Sequence, residues 1–368
     1  MAVRAHRPLY ESRRALMVCG KGELGVRGVV YDMEAWARVH PGGEVFLRAV
    51  EGMDATALFE SSHVHIAVAE AMLSMLPVKG CYTMPVKYKY EMYSVLREKV
   101  LEKLPTRRSR RMPWEARLRM WCWLVATGVS HTMLMMTGVG SGMWGLVCVV
   151  CALCNSVMGG YGHNAVHRLE WHAVFLDWNG LSSFEWLFEH VVSHHPHVNT
   201  DMDHDAISME PFLRWLPHRP AAALGDAQRG SVATHLIYAF GEAVVALQGC
   251  FGHRLRWHAK QYRAPVWMER APWLFVARAA SLLLARGVAA GGISFLCTLC
   301  LASYYFSYMA HRSHSHVDTE SDDFARVQLQ NTKDIPARVP EVSLFLDRQK
   351  LHHLFPTVDH TLLTSVFG

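Results

Sequence analysis

The first thirty-one residues lack a sustained apolar core. Charges are scattered from Met1 to Tyr31, so no cleavable signal peptide is expected and the amino-terminal part should stay in the cytosol. Charge itself is scarce along the chain. Only 19% of the 368 residues are Asp, Glu, Lys or Arg, while 51% are hydrophobic and mean hydropathy is +0.07, which is apolar for a soluble protein. Acidic residues are the rarer sign, 32 against 37 basic ones. The basic excess gathers between Cys81 and Pro113, at Lys87, Lys89, Arg97, Lys99, Lys103, Arg107, Arg108, Arg110 and Arg111. No other feature suits nucleic acid, which is excluded as a partner. A basic run just before an apolar segment fits the positive-inside rule and can rest on anionic headgroups. Of the nine cysteines, Cys122, Cys148, Cys151, Cys154, Cys297 and Cys300 sit inside apolar runs and read as buried, reduced hydrophobes.

Hydrophobicity is concentrated after residue 117, and the chain divides into residues 1–80, a basic linker at 81–112 and a membrane part at 113–368. Two apolar stretches, roughly 120–137 and 143–160, flank Gly138-Val139-Gly140-Ser141-Gly142 and predict a helical hairpin that returns to the cytosol. His163 then emerges on the side of the basic linker. A second hairpin is expected from Trp273 to Ala285 and Val288 to Met309, with Arg278 facing protein or snorkelling. Ile237 to Phe251, interrupted by Glu242, is expected along the interface, and His253 to Arg270 in a cytosolic loop.

Histidines cluster just beyond these apolar stretches. His163 and His167 are four residues apart, which stacks them on one helical face. The interval recurs at His190 and His194, with His195 adjacent and aimed a quarter-turn away, and Gln349, His352 and His353 follow the same logic with an amide in the first place. Imidazole is the commonest ligand for oxidisable transition metals, so the joint pattern points to a two-iron site at a bilayer surface. Near the amino terminus His40-Pro41-Gly42-Gly43 precedes Asp54-Ala55-Thr56, Phe59, His63 and His65. Two histidines facing across a crevice can hold a haem iron from both sides and leave no open position. Pro41, Gly42 and Gly43 let the loop turn tightly beside the ring.

This first region resembles cytochrome b5, whose haem motif is His-Pro-Gly-Gly with a second ligand about two dozen residues on. The resemblance implies haem b between His40 and His63, with His65 the lesser candidate. HNAVH, HVVSHH and QKLHH with Leu354-Phe355-Pro356 closely resemble the histidine boxes of membrane fatty acyl desaturases. The glutamine of the last box and the fused cytochrome b5 resemble the front-end subgroup, which adds a cis double bond between an existing one and the carboxyl end. The implied architecture is an α+β cytochrome b5-like domain followed by an all-α membrane domain of about four transmembrane helices with a cytosolic histidine-box cap. Two irons would be held by His163, His167, His190, His194, His195, Gln349, His352 and His353. Phe306-Ser307-Tyr308-Met309-Ala310-His311 resembles the segment supplying one further ligand, His311, with His314 and His316 as competitors.

The resemblance also implies an oxidoreductase that reduces O2 to water, with electrons passing from NAD(P)H through a separate cytochrome b5 reductase to the haem. It places the protein multi-pass in the endoplasmic reticulum, with both metal sites facing the cytosol and a fatty acyl lipid or acyl-CoA as substrate. Relatives generally continue for several turns beyond the last box, so a truncated carboxyl end is one expectation. Alternatives are a sphingolipid long-chain-base desaturase, an acyl hydroxylase and a catalytically silent lipid-binding relative. Metal content separates the last from the others.

Overall fold

The computed structural model describes residues 15–207, 232–248, 266–314 and 321–367. Three short strands, β1 (Glu23–Val26), β2 (Val29–Asp32) and β3 (Val78–Cys81), form one antiparallel sheet in the order β1-β2-β3. Arg27 and Gly28, with φ of 52° and 82°, make the two-residue turn that matches the right-handed twist of a hairpin. Helices Glu34–Ala37, Glu44–Ala49, Thr56–Ser62 and Ile66–Leu73 lie between β2 and β3. Their apolar side chains share one core with the region that follows the linker: Val45 and Ala49 belong to the same buried cluster as Ala165, Leu176 and Leu187. The amino-terminal domain is therefore packed onto the rest of the chain.

Part of the basic linker is buried. Its helix Glu91–Lys103 packs under the last histidine box, where Tyr93 stacks on Phe355 with ring centroids 5.3 Å apart and donates to the Leu354 carbonyl at 2.9 Å. On its other side Arg97 pairs with Glu60 at 3.2 Å, and Arg27 reaches the same carboxylate. Glu60 and Arg97 are 3% and 6% exposed, so losing one partner leaves a charge stranded away from water. Arg97→Ala is expected to destabilise the protein by about 3 kcal/mol, the low end for a broken buried pair because Arg27 still faces Glu60. A lowered thermal midpoint, followed through near-ultraviolet circular dichroism, would show it.

After the linker, helices Trp114–Met136 and Gly142–Val166 form an antiparallel pair around the turn containing Gly140, whose φ is 83°. Leu118, Trp121, Val125, Val129, Met133 and Met136 repeat every three or four residues and leave an exposed apolar stripe on the first helix. Gly142–Val166 and Trp273–Arg312 are the two described helices long and apolar enough to cross a membrane. The second of these is itself a hairpin. Gly287 takes φ 78° and ψ 167°, outside helical space, and Phe275 meets Phe295 at 5.3 Å, whereas twenty residues of straight helix would separate them by about 30 Å. Gly291 lies so close to the Leu282 carbonyl that a side chain there has no room. The break thus falls between Ala285 and Val288, where the apolar pattern was interrupted.

Arg278 is fully buried, its guanidinium 5.9 Å from the Trp178 ring and 5.6 Å from Phe295, and it donates to the Trp178 carbonyl at 3.2 Å. It faces protein. His131 pairs with Ser281 at 2.8 Å, a contact between the two hairpins. Helix Val232–Gln248 packs on Trp273–Arg312 and leaves Val232, Leu236 and Phe240 exposed along one edge, an apolar line suited to an interface. Phe251 and most of the stretch from His253 to Arg270 lie outside the described residues. Cys148, Cys151, Cys154, Cys297 and Cys300 are free thiols set in these apolar helices, and the first three and the last two repeat a C-x-x-C spacing. Helical packing, and no disulfide, holds them.

Candidate metal centre and haem crevice

The histidine boxes meet where the hairpins end. His163 sits in the last turn of Gly142–Val166 and His167 caps it. His190 and His194 lie on Leu187–His194, a wide π-type turn, and His195 follows directly. That turn matters, because widening the helix brings His190 and His195, five residues apart, onto one face with their Nε2 atoms 3.0 Å apart. A regular four-residue spacing would not have revealed this pair. Gln349, His352 and His353 occupy the short helix Gln349–Leu354.

Two adjoining histidine groups result, and His190, His194 and Asp205 make a third cluster that bridges them. His163, His167, His190, His195 and His352 each offer a ring nitrogen within 4.8 Å of the others, and all five are buried. Within the group, Nε2 of His163 lies 2.7 Å from that of His190 and 3.2 Å from that of His352. His194, His314 and His353 form the second group, with Nε2 of His314 3.1 Å from His194, 3.2 Å from His353 and 3.5 Å from the Gln349 amide nitrogen. The groups touch where His195 stacks on His353 at 4.2 Å. His311 stands apart, its ring stacked on Tyr238 at 4.9 Å. Thus the structure places His314, not His311, with the boxes; His316 lies outside the described residues, as do His253 and His258. Buried His172, His197, His204 and His360 belong to neither group.

A neutral imidazole has one donor and one acceptor, so a ring of five convergent nitrogens cannot satisfy itself by hydrogen bonding. Both ring nitrogens of His167, Nδ1 of His195 and His352, and the Gln349 carbonyl oxygen have no hydrogen-bond partner although buried. A cation resolves that conflict. Burial first, then mutual repulsion, hold His190, His195, His352 and His353 well below the ordinary imidazole range, which keeps their lone pairs available. His194 differs: burial pulls it down, but Asp203 outweighs this and raises it. The donor set, neutral nitrogen with one amide oxygen, suits iron.

Behind the rings lie acceptors that sequence reading missed. His190 Nδ1 meets Asp205 at 2.8 Å, His194 Nδ1 meets Asp203 at 2.9 Å and His353 Nδ1 meets Gln328 Oε1 at 3.0 Å. The Asp-x-Asp spacing just after the second box was a visible signal; Gln328 had none.

In the amino-terminal domain, His40 and His63 face each other edge to face with ring centroids 6.2 Å apart, a separation that fits one metal ion at about 2 Å from each ring nitrogen. Nδ1 of His63 is held by the Phe59 carbonyl at 2.8 Å, and that of His40 lies 3.4 Å from the Gly43 carbonyl, leaving both Nε2 atoms for the crevice. Burial, then His63, brings His40 down to about 4, and burial lowers His63 as well. The loop needs its glycines. A Cβ on Gly42 would sit 2.8 Å from the His40 ring, and Gly43 has φ 110° and Leu169 pressed against it. Pro41 offers its carbonyl to Arg107 of the linker at 2.8 Å.

Each of the two regions matches a known family. Residues 24–83 match the cytochrome b5-like heme/steroid binding domain and residues 140–367 match the fatty acid desaturase family. A cytochrome b5-related protein of Drosophila melanogaster is 24% identical over 92% of this chain and 79% of its own length. The chloroplastic acyl-lipid (7-3)-desaturase of Chlamydomonas reinhardtii is 31% identical over 53% of this chain and 40% of that protein, and a probable Delta(5) fatty acid desaturase C of Dictyostelium discoideum 31% over 48% and 42%. The match to these two desaturases thus spans about two-fifths of their length. No solved structure matches. The chain belongs to the fatty acid desaturase family and carries an amino-terminal cytochrome b5-like domain.

Proposed function

We propose that the protein inserts a cis double bond toward the carboxyl end of an already unsaturated acyl chain, as a front-end desaturase. The observation that carries this reading is the pair of adjoining groups, one of five buried histidines and one of three, with His314 half-buried and Gln349 beside it, at the ends of apolar helices. The first group would hold one iron and His194, His314 and His353, with Gln349, the other. Irons so placed supply, with O2 and two electrons, the oxidising strength that an unactivated methylene requires. The chain's own part is to keep the imidazoles neutral, exclude water and fix the ring directions. Electrons come one at a time from NAD(P)H through a cytochrome b5 reductase to a haem between His40 and His63.

The two hairpins give four crossings of the endoplasmic reticulum membrane, and an even number between His195 and His314 keeps every box on the cytosolic face. The acyl group enters from the bilayer, carried as a lipid or a CoA thioester. The test is the fatty-acid profile, by gas chromatography and mass spectrometry, of yeast expressing the chain and fed polyunsaturated acids. A product with one more double bond nearer the carboxyl end supports the reading. A hydroxylated product, or none from well-expressed protein, overturns it.

Gly42→Ala should separate the haem from the rest. The added methyl pushes the His40 ring off its line to His63, so haem retained per purified chain is expected to fall several-fold while the thermal midpoint of the remaining domain barely moves; undiminished Soret absorbance would refute the crevice assignment.

A further inference from the structure

We infer that the loop at 199–205 gives each iron position its own carboxylate, Asp205 through His190 on the five-histidine side and Asp203 through His194 on the three-histidine side. Both are positioning residues that set how firmly the irons are held and at what potential. The inference rests on the two-iron reading above.

The ligand set is neutral, made of imidazoles and one amide, yet two divalent ions bring four positive charges into a buried site. Uncompensated charge there is costly, and bound cations are the largest charges in such a site. The ring partners of the other ligands are uncharged: Gln328 for His353, and the Ala310 carbonyl, 2.8 Å from Nδ1, for His314. Among the described residues, His190 and His194 have carboxylates within hydrogen-bond reach of Nδ1, at 2.8 and 2.9 Å. These two hydrogen bonds fall in different groups, one in each, and Asp205 in addition lies within 4.8 Å of a His194 nitrogen. Glu189, the nearby alternative, faces His204 at 3.5 Å.

The loop is built to present the pair. Asn199 takes φ 57°, a left-handed turn that asparagine tolerates, and its N–H donates to Asp203 at 2.8 Å. The Ala206 N–H donates to the other oxygen at 3.0 Å, and Ser193 accepts from the His204 N–H at 2.8 Å, tying the loop to the turn that carries His190 and His194. Asp203 is completely buried. An imidazole whose Nδ1–H is held by a carboxylate is fixed in tautomer and is a stronger donor at Nε2, and losing such a partner typically costs about 10–100-fold in metal affinity.

The experiment compares the purified full-length protein with Asp203→Asn, Asp205→Asn, Asp205→Glu and a control, Glu341→Gln, which removes a buried carboxylate that faces Arg119 and Tyr161 instead. Each is loaded with Fe(II) without oxygen, its non-haem iron counted per chain, and release to a chelator timed. Mössbauer spectra of samples poised at set potentials give the ferric fraction. Each Asn variant is expected to release one of its two irons about 10–100-fold faster and to shift that iron's potential upward, with Asp205→Glu recovering part of the loss and Glu341→Gln unchanged. Loosened packing alone would not move the potential in one direction. Wild-type protein holding two irons, with both Asn variants releasing them at the wild-type rate, overturns the inference alone; folded, haem-loaded wild-type protein that holds no iron overturns the two-iron reading with it.

Discussion

Yeast carrying the His352→Ala protein is expected to form no detectable new double bond, a loss of at least about 100-fold in product, with the haem absorption of the purified protein unchanged. His352 is buried, lies 3.2 Å from His163 through Nε2, and sits face to edge with His167 and His195 at 4.8 Å each. Removing it takes one of five nitrogens from the first group and leaves the remaining rings facing an imidazole-sized hole. Its helix is short, but Gln349 and His353 beside it face the second group, so the damage is confined to one iron. His40 and His63 belong to neither histidine group and face each other in the sheet-bearing domain, which is why the haem band serves as the internal standard. Joint loss of haem and product would indicate misfolding, and surviving product would remove His352 from the chemistry.

Local spacing made most of the centre legible. Histidines four residues apart on a helix share a face whatever the rest of the chain does, so the three boxes could be read directly, as could the two hairpins, whose breaks fall at glycines between apolar runs. What spacing could not show was set by the third dimension. The π-type turn over 187–194 depends on how that segment packs, yet it decides that His190 and His195 point together. Gln328 reaches His353 and the His195 carbonyl from a helix more than a hundred residues beyond the second box. The basic charges of the linker helix dominate its composition and hid a second role: its buried residues Tyr93, Arg97 and Val100 join the amino-terminal domain to the last box. That junction is a physical reason for the two domains to share one core.

The eighth imidazole is the sharpest case. Sequence resemblance favoured His311, at the end of an apolar helix, but the helix stops at Arg312, and Ser313 turns back to the Met309 and Ala310 carbonyls at 3.1 and 3.2 Å. That turn swings His314 inward, where Ala310 fixes its Nδ1 and its Nε2 faces His194 and His353. One turn earlier, His311 is left stacked against Tyr238. Replacing His314 with alanine should therefore cost one of two non-haem irons per chain and at least about 100-fold in product, as for a lost first-row metal ligand with its hydrogen-bonded support. His311→Phe preserves a flat ring on Tyr238 and should keep both irons and most of the activity. Iron counts on the two purified variants decide between the positions. If His311→Phe loses an iron and His314→Ala does not, the chain end of this helix closes differently around the metal, and the second group must be redrawn around His311.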